Sequence, residues 1–354
     1  MGQQGAATRG PLFTARSRRA PILLLRRGFR HGLFRPPAAG AGPGLQAPGA
    51  HDRAPMEQLY REGRPIVLRG WLDLRGAVVR AQIERSRREF DRLRGGAEFG
   101  PQLARRLAAG PARMVGCSED VADPLEIEKV HLSLPGPGGE GLFAKLSWIA
   151  DDERDLSLRI RFSFGLERAL DWRRDARRSR AADRAALLAY PEGRVLAQHP
   201  RLLRLLGRLC GGEVRLSERI LYNNAPGGGA SFHHDAEPGQ LGVLYGQFLG
   251  RTAWLALPRA ELAQEIARLA PNRALARDAF RLLEHPDEPR LERLLNRDRR
   301  LTRALVARGA LIVLGRGDAL VLPSPSREVC AWHAVFALGK RPSLAHSYGI
   351  FRLR

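Results

Sequence analysis

Ser231-Phe232-His233-His234-Asp235 carries a His-x-Asp, and a further histidine, His333, lies about a hundred residues on. Two imidazoles and one carboxylate are the donor set of the facial triad that holds iron(II) and leaves cis positions open. In a strand, residues i and i+2 project from one face. His233 and Asp235 can therefore grip one ion while His234 points away. His234 has no acid two residues on, since Glu237 is three away. Two bland readings stand beside this one. The His-x-Asp can be a polar strand end, and His333 a core histidine beside Trp332, with His346 as its competitor.

Strands and turns are needed at the right places to bring these groups together. Short apolar runs between breakers predict strands at 63–70, 155–164, 214–223, 231–235, 240–248 and 252–257, and again at 311–314, 319–322, 330–337 and 342–352. Pro226-Gly227-Gly228-Gly229 reads as a tight loop before the His-x-Asp. Helical patterns cover 71–94, 166–189, 194–210 and 259–309, the last an insertion between strands. The expected fold is α+β: a double-stranded β-helix, or jelly roll, with a helical N-terminal part and a helical insertion. Tyr222, Asn223 and Asn224 precede the glycine loop, where a pocket or a structural role is open to them. Trp254 is expected in the core, and Asp318, after Gly317, in a turn.

The chain has 354 residues and a formal net charge of +22. Only Lys129, Lys145 and Lys340 among its 59 basic residues are lysine; the rest are arginine. With many Ala, Gly and Pro, that skew reads as a GC-rich coding sequence as much as a binding surface. The run 172–180 reads first as a solvated helix face. Cys117, Cys210 and Cys330 are far apart, which excludes a C-x-x-C zinc pair and argues for a reducing, cytoplasmic setting. No apolar run is long enough for a membrane span. Residues 1–55 carry nine arginines and one acid, Asp52, and 36–50 reads as linker. This stretch is expected to be a disordered or mis-assigned extension, its Arg-rich, acid-poor start resembling a transit peptide, with Met56 the expected true start. The folded domain is expected over 56–354, its mixed part at 56–210 and its jelly-roll core at 211–354.

The order of these motifs resembles the JmjC and cupin-like family of iron(II), 2-oxoglutarate-dependent oxygenases. The pieces are 63-GRPIVLRG-70, 233-HHD-235, 246-GQFLGRTAWLALP-258, 317-GDALVLP-323 and 332-WHAV-335. The resemblance implies iron bound by His233, Asp235 and His333, with 2-oxoglutarate and O2 as co-substrates. It further implies a dioxygenase that hydroxylates a protein, peptide or small molecule. Ala230 stands where the family often has threonine. Thr252 stands where it often has the lysine that holds the far carboxylate of 2-oxoglutarate. Many related oxygenases carry Arg-x-Ser after the distal histidine, so Arg341 and Ser343 join Thr252 as the implied co-substrate residues. These departures keep a second reading open: a cupin-like protein that holds a metal or ligand without catalysis. A nucleic-acid partner and a homodimer through 259–309 also stay open, and a membrane partner is not expected.

Overall fold

A computed structural model describes residues 32–34, 50–118, 123–150, 155–165, 175–284 and 289–353. The linker expected at 36–50 falls, but for its last residue, outside them, as do most of 1–55 and the first part of the helix expected at 166–189. Six strands precede the core: β1 (Gly32–Phe34), β2 (Ile66–Leu68), β3 (Arg113–Ser118), β4 (Glu126–Ser133), β5 (Leu142–Trp148) and β6 (Leu158–Phe164). Eight more follow: β7 (Val214–Asn224), β8 (Gly229–His233), β9 (Gln240–Leu249), β10 (Arg251–Pro258), β11 (Leu311–Leu314), β12 (Ala319–Pro323), β13 (Ala331–Leu338) and β14 (Ser343–Arg352).

The last eight form a double-stranded β-helix. One sheet contains the run β12-β9-β14-β7, and the facing sheet is β11-β10-β13-β8. The chain passes between the two sheets as it advances, and within the eight every pairing is antiparallel. Side-chain alternation follows from the pleat. On β10, Ala253, Leu255 and Leu257 face outward, while Trp254 and Ala256 face into the space between the sheets.

The first sheet does not stop at the β-helix. It continues through β6, β5, β4 and β3 at one side, and through β2 and β1 at the other, to ten strands. No strand is expected from pattern at 113–148, nor a helix at 99–107; both are present. The apolar residues of β6, Leu158, Ile160 and Phe162, pack into the large core beneath the helices. That core also takes Phe90 from the helix Ala77–Arg94 and Leu205 and Leu206 from the helix Pro200–Leu209. The helix expected over 194–210 is broken into Arg194–Ala197 and Pro200–Leu209. Pro200 lacks the N–H that continuity would need and sits at the first helical position, where it costs nothing.

Between β10 and β11 the chain makes four helices, Arg259–Leu269, Arg273–Leu282, Pro289–Arg297 and Arg299–Ala307. Their leucines bury against the outer face of the smaller sheet, over Leu255, Leu257 and Trp332. Arg259 is almost wholly buried there, its guanidinium donating to the carbonyls of Arg327 and Phe280. It ties the insertion to the loop that leads into β13.

Candidate metal centre

The glycine turn between β7 and β8 sets the position of the His-x-Asp. Its carboxylate clamp is Asp155, which accepts the Gly229 N–H at 2.8 Å, while Ser157 Oγ accepts that of Ala225 at 2.9 Å. A side chain at Gly229 would place its Cβ 1.9 Å from the Val335 carbonyl of β13. Only glycine allows β8 to lie this close, and the closeness brings His233 directly opposite His333 in the ladder. Residues paired in this way share a face. At the free edge of β8, the Phe232 N–H donates to Asn296 Oδ1 at 2.9 Å, so the insertion caps the strand beside His233.

β8 ends at His233, and Asp235 lies in the segment just beyond it. The two imidazole centroids are 4.2 Å apart. Asp235 places one oxygen 3.4 Å from His333 Nε2 and the other 3.8 Å from His233 Nε2. One ligand atom from each of the three residues lies within 4.8 Å of the others. His233 Nδ1 is 2.7 Å from the Ser231 carbonyl and His333 Nδ1 is 3.5 Å from that of Ala331. A carbonyl at Nδ1 selects the tautomer that leaves Nε2 its lone pair, the form a metal requires. His333 is buried, and burial pushes its pKa down to about 3; the nearby His233 adds to the fall and Asp235 opposes it. It is therefore neutral at ordinary pH. His233 and Asp235 are partly exposed, so the cluster opens toward solvent on one side.

His234 points away. Its ring meets Trp332 edge-on at 5.0 Å, its Nδ1 accepts the Ala236 N–H, and burial lowers its pKa. His346 lies on the opposite face of the large sheet, against Phe248 and 3.7 Å from Glu192. Asp318 is held by the N–H groups of Gly70 and Gly315 and by Arg69, as a turn residue.

The residues expected at the co-substrate lie elsewhere. Arg341 is exposed in the turn before β14, beside Gly250, Glu84 and Arg87. Leu338, where β13 ends before that turn, is five residues from His333, roughly 17 Å along a strand. Ser343 is buried at the start of β14, opposite Asn224. Thr252 is fully buried; its hydroxyl donates to Gln247 Oε1 at 2.7 Å and accepts from Trp254 Nε1 at 2.9 Å. The Trp254 indole stands between Thr252 and the triad, its centroid 5.5 Å from that of His333. Tyr245 packs edge-on against the same indole at 4.7 Å, and Tyr222 lies 6.4 Å from Tyr245. Of the three residues before the glycine loop, Tyr222 packs against the β-helix interior, Asn223 is fully buried on the helix-covered face, where its Oδ1 accepts from Arg94, and Asn224 is buried as well.

The fold and the cluster define a class: a double-stranded β-helix with His-x-Asp and a distal histidine at its mouth. No protein-family model matches the chain, and no curated protein does. Solved structures that overlap it include a 2OG-Fe(II) oxygenase family oxidoreductase from Burkholderia pseudomallei, at 12 % identity over 92 % of this chain and 96 % of that one, TM-score 0.34. The ribosomal oxygenase YcfD of Escherichia coli overlaps at 15 % identity over 82 % of this chain and 48 % of its own, TM-score 0.30. The chain thus spans about half the length of that protein. The non-heme alpha ketoglutarate dependent epimerase SnoN from nogalamycin biosynthesis overlaps at 14 % identity over 84 % and 83 %, TM-score 0.34.

Proposed function

We propose that this chain is an iron(II)- and 2-oxoglutarate-dependent dioxygenase that hydroxylates a protein, peptide or small molecule. The observation that carries this reading is the convergence of His233, Asp235 and His333, with ligand atoms within 4.8 Å of one another at the mouth of a β-helix. The donor set fits iron(II): two Nε2 lone pairs, tautomers set by backbone carbonyls, and one carboxylate. Bound there, the metal would supply O2 activation coupled to decarboxylation of 2-oxoglutarate. The chain's own part is to present the three donors from one side. The indole of Trp254 and the burial of His333 exclude water behind them.

The test is a turnover assay with iron(II), ascorbate, O2 and 2-oxoglutarate, with candidate peptides and small molecules added in turn. Wild type is expected to form succinate, slowly even without a substrate, and Asp235→Ala is not. Metal titration accompanies it: losing one of three ligands is expected to weaken binding at least as much as losing an outer hydrogen-bond partner, ~10–100-fold. Absence of succinate from a protein that holds iron tightly would overturn the catalytic reading.

That outcome belongs to the second reading, a cupin-like metal- or ligand-binding protein without oxygenase chemistry. The placement of Trp254 favours it, since the indole fills the interior between the triad and Thr252. Ligand-field changes on adding 2-oxoglutarate to the iron-loaded protein would count against it.

A further inference from the structure

We propose that Arg159, assisted by Tyr222, binds the distal carboxylate of the anionic ligand held at the metal centre. This rests on the oxygenase reading and deepens it, by naming the residue that anchors the co-substrate.

The argument begins with the sheet. On β6, Leu158, Ile160 and Phe162 enter the helix-covered core, so Arg159 and Arg161 stand on the opposite face. Arg159 is directly opposite Tyr222 in the β6–β7 ladder. Leu221 belongs to the helix-covered core and Tyr222 to the interior of the β-helix. The guanidinium therefore emerges beside the tyrosine, on the side of the sheet that faces the triad. A row of rings, Tyr222, Tyr245, Trp254 and His333, links that position to the metal ligands across centroid steps of 6.4, 4.7 and 5.5 Å.

Charge singles out Arg159 among its neighbours. The basic residues on this face are Lys145, Arg159 and Arg161, cross-strand partners or next neighbours, with Lys129 one strand further out. Lys145 is committed to Asp123 and Glu126, Arg161 to Glu218, and Lys129 lies over the Phe143 ring. Arg159 makes no direct ion pair among the described residues, although the Asp123 carboxyl feels its charge, and it is partly buried. A partly desolvated cation without a direct carboxylate partner is well suited to take one from a ligand, and guanidinium can take it bidentately. Electrostatics agree. Burial is the main cause that raises the Tyr222 pKa to about 12, and Arg159 opposes the rise, which puts the guanidinium within electrostatic reach of a phenol that also hydrogen-bonds Ser347. It stays protonated and can donate to an anion.

The experiment uses the full chain loaded with Mn(II), so that no turnover intervenes. 2-Oxoglutarate and 2-oxovalerate are titrated by calorimetry and by tryptophan fluorescence. Both can chelate through the keto acid, and only the first has a distal carboxylate. Wild type is expected to prefer 2-oxoglutarate. Arg159→Gln is expected to lose roughly 10- to 100-fold in 2-oxoglutarate affinity, the worth of a charged hydrogen bond. Its Mn(II) affinity and its 2-oxovalerate affinity should not change. Arg159→Lys should recover part of the loss, Tyr222→Phe should show a smaller loss, and Arg341→Gln should show none. A preference for 2-oxoglutarate that survives in Arg159→Gln overturns the assignment of Arg159 alone. A wild type that binds Mn(II) and neither keto acid overturns the assignment together with the co-substrate reading. If Arg159 instead serves a carboxylate of the oxidised substrate, 2-oxoglutarate binding stays at the wild-type value in Arg159→Gln, and the proposal fails.

Discussion

At the scale of single residues, two adjacent histidines have opposite fates. His233 faces His333 across the ladder, and His234 packs on Trp332 beneath the insertion. His233→Ala is expected to abolish tight Mn(II) binding while leaving the melting temperature of the metal-free protein nearly unchanged. His234→Ala is expected to retain the metal and lose stability, by about 0.5–1.5 kcal/mol for the aromatic pair beyond its area. Parallel metal titration and thermal melts check the contrast, and equal loss of metal in both variants would refute it. The strand period alone separates these two side chains in the sequence, because i and i+2 share a face. Arg159 carries no such mark. It is one polar residue in an alternating strand, and its neighbour Tyr222 belongs to a strand some sixty residues later. Arg341 looks the better candidate anchor in the sequence, because nothing there reveals that the β13–β14 turn lies far along the strand from His333.

At the scale of elements, two devices hold the frame. Gly229 lets β8 approach β13, and an alanine there would drive its Cβ onto the Val335 carbonyl. Gly229→Ala is expected to cost ~1–3 kcal/mol, as overpacking does, and to weaken Mn(II) binding as well, because the same ladder aligns both imidazoles. Chemical denaturation with metal titration tests both parts. The second device is a helix cap. His199 Nδ1 accepts the Leu202 N–H at 3.2 Å at the start of Pro200–Leu209, and only an unprotonated ring can do so. Burial lowers the His199 pKa in the fold. The unfolded chain, with an ordinary value of about 6.5, therefore takes up the proton first as pH falls. The stability present above that value is lost as pH drops from there through the folded pKa. His199→Asn keeps an acceptor and has no proton to gain, so the melting temperature between pH 7 and pH 5 should fall less steeply than in wild type. An unchanged slope would dismiss the cap as the source. The helix expected over 194–210 runs straight through Pro200, and a histidine serving as a cap is not legible either, since the usual cap residues are Ser, Thr, Asp and Asn.

At the scale of the whole molecule, the helical insertion is part of the core. Leu262, Ile266, Leu291 and Leu305 are buried against the smaller sheet, and Asn296 caps the strand that ends at His233. Replacing 259–309 by a short turn would still let β10 pair with β11, whose register is direct. It would also bare Leu255, Leu257 and Trp332 to water, at about 25 cal/mol per Å² of apolar area. The expected result is loss of a cooperative melt and strong binding of a hydrophobic dye. A deletion variant that melts like wild type would show the insertion to be a separable lid. Among the described residues no helix is long and apolar enough to cross a membrane, and Cys117, Cys210 and Cys330 are unpaired.

Local pattern was enough to determine the strands of the β-helix, the helical character of the insertion and the choice of His233 over His234. Each depends on a period of 2 or 3.6 residues that is written along the chain. The tertiary structure alone decided three further matters. It brought His333 opposite His233, through a turn that glycine permits. It extended the sheet through β3, β4 and β5, where no strand is expected from the pattern, to join the expected β6. It also put Trp254 between Thr252 and the triad and left Arg159 beside Tyr222. These are contacts between residues distant in sequence, and only the register of paired strands can create them.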